Sequence, residues 1–471
     1  MNGFFEKKIF LGLIFGLFFV SHLYRITDGP NGFHKWRETD TAAVAYNFFS
    51  EDWNFFQPRI DERENTSGVV GMELPVYSYL TAICYQVFGF SHAWPRLLSV
   101  LGALVFLGSL SAILRVMGAS SVYANLAAYA GLASPLIFFY GRKIQPDMWA
   151  LSLSTTGVYF FLKWHQQSKA MYSILSVLFL AVAGMIKPTM LCVGLPMLCF
   201  VRAAWLKPRY FVIVFFVILP VFLWMSYAKI TNQELGRHYF DLTLNLGKAW
   251  HYAYSPKFVL NLLVTWPWEL VIGYTAVWFF LWGIVSFLRD RSSLSYFLFS
   301  WLLGGLVVCS VTADHVATLH DYYLLPLAPP LILITAKGAE CALRSYKAWV
   351  RILAVLTLFV MPPAAFVRMF HRYGEPYDFH KTRALADESI PKGAKIITYD
   401  NIPGWLFYRV GRKGWRIQGA SDLEKFSKAR ELGANYFVIE PSQNPDITLF
   451  RPFMSGLVFE DQTIQVYKLS N

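Results

Sequence analysis

Residues 9–49 read IFLGLIFGLFFVSHLYRITDGPNGFHKWRETDTAAVAYNFF. Positions 9–24 hold no charged side chain, and Lys7 and Lys8 stand just before them. A membrane span needs ~20 apolar residues at 1.5 Å each. No small-residue cleavage site follows, so the run is expected to be a retained anchor rather than a removed signal peptide. The polarity then changes at Trp36-Arg37-Glu38-Thr39-Asp40-Thr41. Two carboxylates two residues apart lie next to a membrane surface, ahead of the helix-like run AAVAYNFF. A carboxylate there could deprotonate a hydroxyl nucleophile. Equally, Asp40 could simply N-cap the helix.

The rest of the 471-residue chain follows the same reading. Hydrophobic residues make up 55%, charged residues 15% and aromatics 18%, with a mean hydropathy of +0.39. Ordinary soluble domains carry about 25% charged residues. That shortfall argues against a soluble enzyme and against a disordered or fibrous chain. Five cysteines (Cys84, Cys192, Cys199, Cys309 and Cys341) all lie in or beside apolar runs, so neither a disulfide framework nor a CxxC signature is present in the sequence. There is no internal repeat and no glycine fingerprint for a nucleotide.

Eleven apolar runs are expected to span, over roughly 9–24, 96–115, 121–140, 147–164, 172–187, 189–205, 210–229, 265–288, 294–312, 321–337 and 350–368. The fifth and sixth are short and meet at Lys187-Pro188, where proline ends a helix. With a cytoplasmic N-terminus the inside loops carry 14 basic and 3 acidic residues, a balance of +11. The remainder carries 28 basic and 27 acidic residues, a balance of +1. The overall charge of +12 is therefore explained by the positive-inside rule, without nucleic acid as a partner. An odd number of spans puts the C-terminus outside, together with loops 25–95 and 230–264. The expected division is a transmembrane domain over 1–368 and an extracytoplasmic α/β domain over 369–471. In that tail AKIITYD (394–400), NYFVIE (435–440) and QTIQVYKL (462–469) read as strands. SDLEKFSKAREL (421–432) reads as a helix with a Ser421/Glu424 capping box. The βαβ order suggests a parallel pair.

Function is sought on the outer face, because loops on a rigid scaffold tend to carry chemistry. Glu73, in Gly71-Met72-Glu73-Leu74-Pro75, is read at the first turn of a helix. It could compensate the helix dipole, or act as a second carboxylate orienting substrate. With His34 nearby a divalent metal is conceivable, but no ligand spacing such as HExxH supports one. Arg142 and Lys143 run against the positive-inside trend. They read as a phosphate site or as snorkelling cations, with Asp147 available to pair with either. Lys187 stands at a helix break. His320, Tyr322 and Tyr323 open the tenth span as possible phosphate donors, or as an interfacial aromatic belt. Carboxylates and cations on one face, at head-group depth, suit a reaction between a lipid-linked phosphate ester and an acceptor.

These residues resemble a known family. WRETDTAAVAYNF, ELPVYSYLTAICYQVFG, the Arg142–Asp147 loop, Lys187-Pro188-Thr189 and HDYYLLPLAPPL occur in the order and topology of the protein O-mannosyltransferase/aminoarabinose-transferase superfamily. The likeness covers roughly residues 9–340. It implies a polytopic helical membrane protein of the GT-C fold that uses polyprenyl-phosphate sugars without a nucleotide or other required cofactor. It also implies that Asp40 or Glu38 is the catalytic base. Many relatives carry an adjacent Asp-Glu pair where this chain has Arg37-Glu38-Thr39-Asp40, and Asp40 is the preferred candidate. Glu73, Arg142, Lys143, Asp147, Lys187, His320, Tyr322 and Tyr323 would bind substrate, the cations holding the donor phosphate.

The implied reaction is inverting transfer to a hydroxyl of a lipid, glycan or protein acceptor. The setting is a bacterial inner membrane, among membrane lipids. A flippase or transporter of a lipid-linked sugar is the alternative. It would place ionisable residues deep in spans and leave traces of inverted repeats. A non-catalytic receptor is the third reading.

Overall fold

The computed structural model describes residues 2–201, 208–236, 246–318, 320–443 and 445–470. It is predominantly helical, with one five-stranded sheet near the C-terminus. Its contacts gather the described residues of Met1–Tyr24, Arg96–Tyr227 and Phe240–His371 into one compact unit. Those of Arg25–Pro95, Ala228–Tyr239 and Arg372–Asn471 form a second. The described tail residues from Arg372 thus share a unit with those of the first long polar loop.

The first unit is built from apolar helices. Five described helices are long and apolar enough to cross a membrane: Ala93–Val116, Pro208–Glu234, Ser293–Val311, Asp321–Leu343 and Ala348–Tyr373. The helix Pro208–Glu234 exposes Phe211, Phe215, Phe216, Phe222 and Leu223. In water such a stripe would be costly, and in lipid it is the favoured surface. The helices Val277–Arg289 and Ala328–Leu343 approach through glycine. A Cβ on Gly283 would lie 2.0 Å from the Ile334 carbonyl, and one on Gly338 would lie 1.7 Å from that of Phe279. Small residues that let backbones touch are the usual device where lipid gives no hydrophobic drive.

The eleven apolar runs do not all become single helices of spanning length. The first is the 14-residue helix Lys8–Ser21. The run 121–140 breaks into Ser121–Leu132 and Pro135–Tyr140, because Pro135 cannot donate to the preceding turn. The run 189–205 is not an α-helix. Pro188–Val201 is 3₁₀ with Pro196 inside it, and 202–205 lie outside the described residues. The run 265–288 falls on the bent pair Pro256–Ile272 and Tyr274–Arg289, which turns by 103°. Gly273 stands at the bend with φ +75°, a conformation glycine adopts at no steric cost. Part of the polar loop 230–264, residues 237–245, and the inner cations Arg202 and Lys207 also lie outside the described residues.

In the second unit the strands are β1 Lys395–Tyr399, β2 Lys413–Ile417, β3 Ala434–Ile439, β4 Met454–Glu460 and β5 Gln465–Leu469. Their order is β2-β1-β3-β5-β4. β1 is parallel to β2 and β3, while β5 is antiparallel to β3 and β4. The expected β1/β3 pairing is present, but β2 and β4 were not anticipated. Alternation puts Ile396, Val438 and Val466 in one buried cluster and Ile397 and Phe437 in the other, where Phe426 of the helix Leu423–Glu431 packs. The edge of β2 is covered by the first loop: Glu62 bridges Gly414, and the Glu64 amide donates to the Gly414 carbonyl at 2.8 Å. Covering an edge satisfies polar groups that would otherwise recruit another chain. The Ser421/Glu424 capping box does not form. The helix starts at Leu423 with Asp422 at its N-cap, and the Asp422 carboxylate instead accepts from the Gln418 amide at 2.6 Å. Gly433, with φ +94°, ends it as expected.

Candidate functional site

In the second unit the first-loop carboxylates stand on the helix Lys35–Ser50, which begins five residues before Asp40. Asp40 is therefore inside the helix and caps nothing. The N-cap is His34, in the left-handed region at φ +61°. Glu38 is fully buried, whereas the Asp40 side chain keeps 16% of its surface exposed. Arg37 organises the charges. Its guanidinium donates to Glu73 and lies 3.8 Å from Asp40. Glu73 does not sit in a first helical turn, since the helix Val76–Phe88 has Pro75 as its N-cap. It is buried, one carboxylate oxygen is held by Arg37, and the other has no hydrogen-bond partner among the described residues. Two carboxylates from different elements thus share one arginine, a geometry in which like charges tolerate each other.

Lys35, at the start of the same helix, lies 4.5 Å over the Trp405 ring and 3.8 Å from Glu440. The Trp405 indole N–H donates to Glu440 at 3.0 Å. The helix that carries Asp40 is thereby fixed against the ends of the strands.

In the first unit Arg142 and Lys143 lie in the turn between Pro135–Tyr140 and Asp147–Gln167, and both are buried. Asp147 opens the second of these helices. It pairs with Lys187. The Lys187 ammonium is also 4.1 Å from the Tyr322 ring and 4.4 Å from that of Tyr323. Lys187 terminates the helix Ala170–Ile186, so proline at 188 places the cation where helix ends meet. His320 lies 5.6 Å from the Tyr322 ring. The stretch Asp321–Leu327 is 3₁₀, and the α-helix starts at Ala328, so His320 is not at an α-helical N-terminus.

Asp147, Lys187, Tyr322 and Tyr323 form one cluster, and Arg37, Asp40 and Glu73 another. Among the described residues no three His, Cys, Asp or Glu side chains group as metal ligands.

Sequence reasoning gave no role to several residues of these clusters. The Tyr140 hydroxyl donates to Asp321. Arg96, which is buried, donates to the Arg142 carbonyl at 3.2 Å, and the Ser99 hydroxyl donates to the Lys143 carbonyl at 2.6 Å. Gln145 is 1% exposed, and neither polar atom of its amide has a partner among the described residues. Buried polar atoms without partners are rare in folded chains and mark positions that a polar ligand can satisfy. A charged residue opening an apolar helix was the available signal for Arg96. Gln145 carried none.

A family profile described as dolichyl-phosphate-mannose-protein mannosyltransferase matches residues 73–227. No curated protein matches the whole-chain sequence. Solved structures do match. ArnT from Cupriavidus metallidurans in the apo state aligns with a TM-score of 0.66 at 14% identity, over 97% of each chain. The same protein bound to undecaprenyl phosphate gives 0.66 at 13% identity, over 98% of this chain and 97% of that one. The archaeal oligosaccharyltransferase AglB from Archaeoglobus fulgidus, in complex with an inhibitory peptide and a dolichol-phosphate, gives 0.60 at 11% identity, over 96% of this chain and 73% of that one. At such identities the likeness is one of fold. The chain has the fold of these proteins and resembles the PMT/ArnT-like glycosyltransferases of the GT-C type.

Proposed function

We propose that the protein is a membrane glycosyltransferase that moves a sugar from a polyprenyl-phosphate donor to an acceptor hydroxyl, with inversion at the anomeric carbon. Asp40 takes the proton of the attacking hydroxyl. As the new glycosidic bond forms, the bond between the anomeric carbon and the phosphate oxygen breaks and polyprenyl phosphate leaves. Lys187, Arg142 and Lys143 stabilise the charge that develops on it, which is where preorganised cations lower a barrier most. Arg37 sets the orientation of Asp40 and Glu73.

The observation that carries the reading is the contrast within one helix. Asp40 is reachable and held beside an arginine, while Glu38 is sealed. A base must reach the proton that it removes. The fold of a protein solved with undecaprenyl phosphate supports the donor class. Gathering of the described residues of 25–95, 228–239 and 372–471 into one unit supports placing them on one side; we take that side as outer, the N-terminus as cytoplasmic and the setting as a bacterial inner membrane.

The test uses purified protein in nanodiscs with radiolabelled polyprenyl-phosphate monosaccharides, following release of polyprenyl phosphate with and without a crude acceptor extract. Asp40→Asn is expected to lower release by about 10²–10⁴-fold, the usual contribution of a positioned base, while donor binding survives. Full turnover by Asp40→Asn would move the role to Glu38. Binding of donors without release, for every donor and extract, would favour the flippase reading.

A further inference from the structure

The helix Lys35–Ser50, which carries Asp40, starts where its own residues do not favour a start. His34 precedes it with φ +61°, a region that is costly for a residue with a side chain, and its ring makes no capping hydrogen bond. Lys35 then puts a cation at the positive end of the helix dipole. Residues of the tail, in the same unit, hold this start in place. The Lys35 ammonium lies between the Trp405 ring, at 4.5 Å, and the Glu440 carboxylate, at 3.8 Å.

Glu440 is itself fixed on both oxygens. It is buried and stands directly after β3. Its Oε2 accepts from the Trp405 indole at 3.0 Å and from the Gln443 amide at 2.6 Å, and its Oε1 accepts from the Ser442 hydroxyl at 3.0 Å. The Gln443 amide also donates at 3.3 Å to Asp400, which stands directly after β1. The carboxylate is thus tied to the ends of two parallel strands. One helical turn beyond Lys35, the Thr39 methyl lies 3.7 Å from where a Cβ on Gly404 would be. Lys35 and Thr39, four residues apart, share one face of the helix, whereas Arg37 and Asp40, three apart, share the opposite one. The tail grips the first face, and Arg37 on the second holds Glu73. Lys35 and Asp40 are about 7.5 Å apart along the helix axis, so a shift of the helix start carries Asp40 with it. Misplacing a reacting group by about 1 Å costs about 10²-fold in rate.

We propose that Glu440, aimed by Trp405 and Gln443, is a positioning residue: through Lys35 it anchors the helix that carries the base, so that the tail sets the rate of proton removal. The effect on rate rests on the reading of Asp40 as base given above, whereas the anchor does not.

The experiment uses the full chain in nanodiscs, with the radiolabelled polyprenyl-phosphate monosaccharides as donors, and follows kcat and donor KM together with hydrogen exchange in residues 35–50. Lys35→Met and Glu440→Gln are each expected to lower kcat by about 10- to 100-fold and to leave donor KM unchanged, because the cations assigned to the donor lie in the other unit. The double variant is expected to be no slower than the slower single one, since both remove the same contact. Lys35→Arg, which keeps a cation over the indole and beside the carboxylate, is expected to turn over close to wild type. Amides in the first turns of the helix are expected to exchange faster in the two single variants. The Lys35 side chain is 24% exposed, so the fold tolerates its replacement, and thermal melting checks each variant. Unchanged kcat in the folded single variants, a raised KM at unchanged kcat, a double variant whose loss is the product of the single losses, or unchanged exchange each overturns the proposal. Absence of polyprenyl phosphate release by wild type defeats the transfer reading instead. Exchange then decides the anchor alone: faster exchange confined to the helix start supports it, and unchanged exchange overturns it.

Discussion

Replacing Lys187 by methionine tests whether one side chain both stabilises its unit and binds the donor. Asp147 beneath it is only 2% exposed, and its second oxygen has no partner among the described residues. Removing the ammonium takes from a buried carboxylate the counter-charge paired with it, at about 3–5 kcal/mol. The Lys187 side chain is 14% exposed, so water relieves part of this and the lower end applies, about 3 kcal/mol. Loss of the two tyrosine contacts adds about 0.5 kcal/mol each. The sum, about 4 kcal/mol, corresponds to an apparent Tm lower by roughly 4–7 °C for a chain of this size. Converting the partner as well, in Asp147→Asn/Lys187→Met, removes the orphaned charge and is expected to restore most of that loss, since a neutral pair is tolerated where a lone charge is not. Binding should not be restored. A lysine contact to a phosphate oxygen contributes about 1.5–3 kcal/mol, so both variants are expected to bind polyprenyl phosphate about 10- to 100-fold more weakly. The assays are thermal melting in detergent and titration of polyprenyl phosphate into nanodiscs. A double variant that regains stability and binds polyprenyl phosphate as tightly as wild type refutes the binding role and leaves Lys187 a purely structural counter-ion.

Two further predictions concern the second unit. Burial, reinforced by the Glu440 carboxylate, pushes the Asp400 carboxyl up to about 6 from 3.8. A raised carboxyl favours the protonated folded state, so this stabilisation is complete below pH 4 and is lost as pH rises to about 6. Asp400→Asn, which keeps an oxygen for the Ile402 amide, is expected to exceed wild type by up to about 3 kcal/mol at pH 7.5. At pH 4 it should equal wild type, and melting at both pH values decides. At Asp61 burial opposes ionisation, but the Lys413 ammonium and the Asn47 amide outweigh it and hold the carboxyl below its ordinary value. Burial also pulls Lys413 down, so the benefit of the pair resides on the Asp61 side. That benefit is present above the ordinary carboxylate range and is lost as pH falls below it. Lys413→Met is therefore expected to destabilise by about 3 kcal/mol at pH 7 and by less in acid, and a pH-independent difference would contradict the assignment.

How far the sequence could be read depended on the range of the forces involved. Hydropathy and proline are local, so Lys187-Pro188 marked a helix end and Gly433 a stop without any tertiary information. Helix starts were less secure. Asp40 lay six residues into its helix because the polar turn KWRETD is helical too, a choice made by packing rather than by propensity. The breaks at Ser134 and Gly273 fell inside runs read as continuous, although Pro135 and Glu269 stood beside them. β2 escaped notice because KGWRI does not alternate clearly until its neighbours define two faces.

The sequence by itself determined that most of this chain belongs in a membrane. It also determined that carboxylates and cations cluster in its polar loops, and that a parallel strand pair closes the tail. These follow from the cost of exposing apolar surface to water and from backbone periodicity, which neighbouring residues decide. Only the tertiary structure decided the partners. Asp147 finds Lys187 forty positions away, and Glu73 finds Arg37 thirty-six positions away. It also sealed Glu38 and left Asp40 reachable on the same helix. A charge interacts with whatever the packed chain brings within a few ångströms, and that distance is set by packing, not by sequence separation.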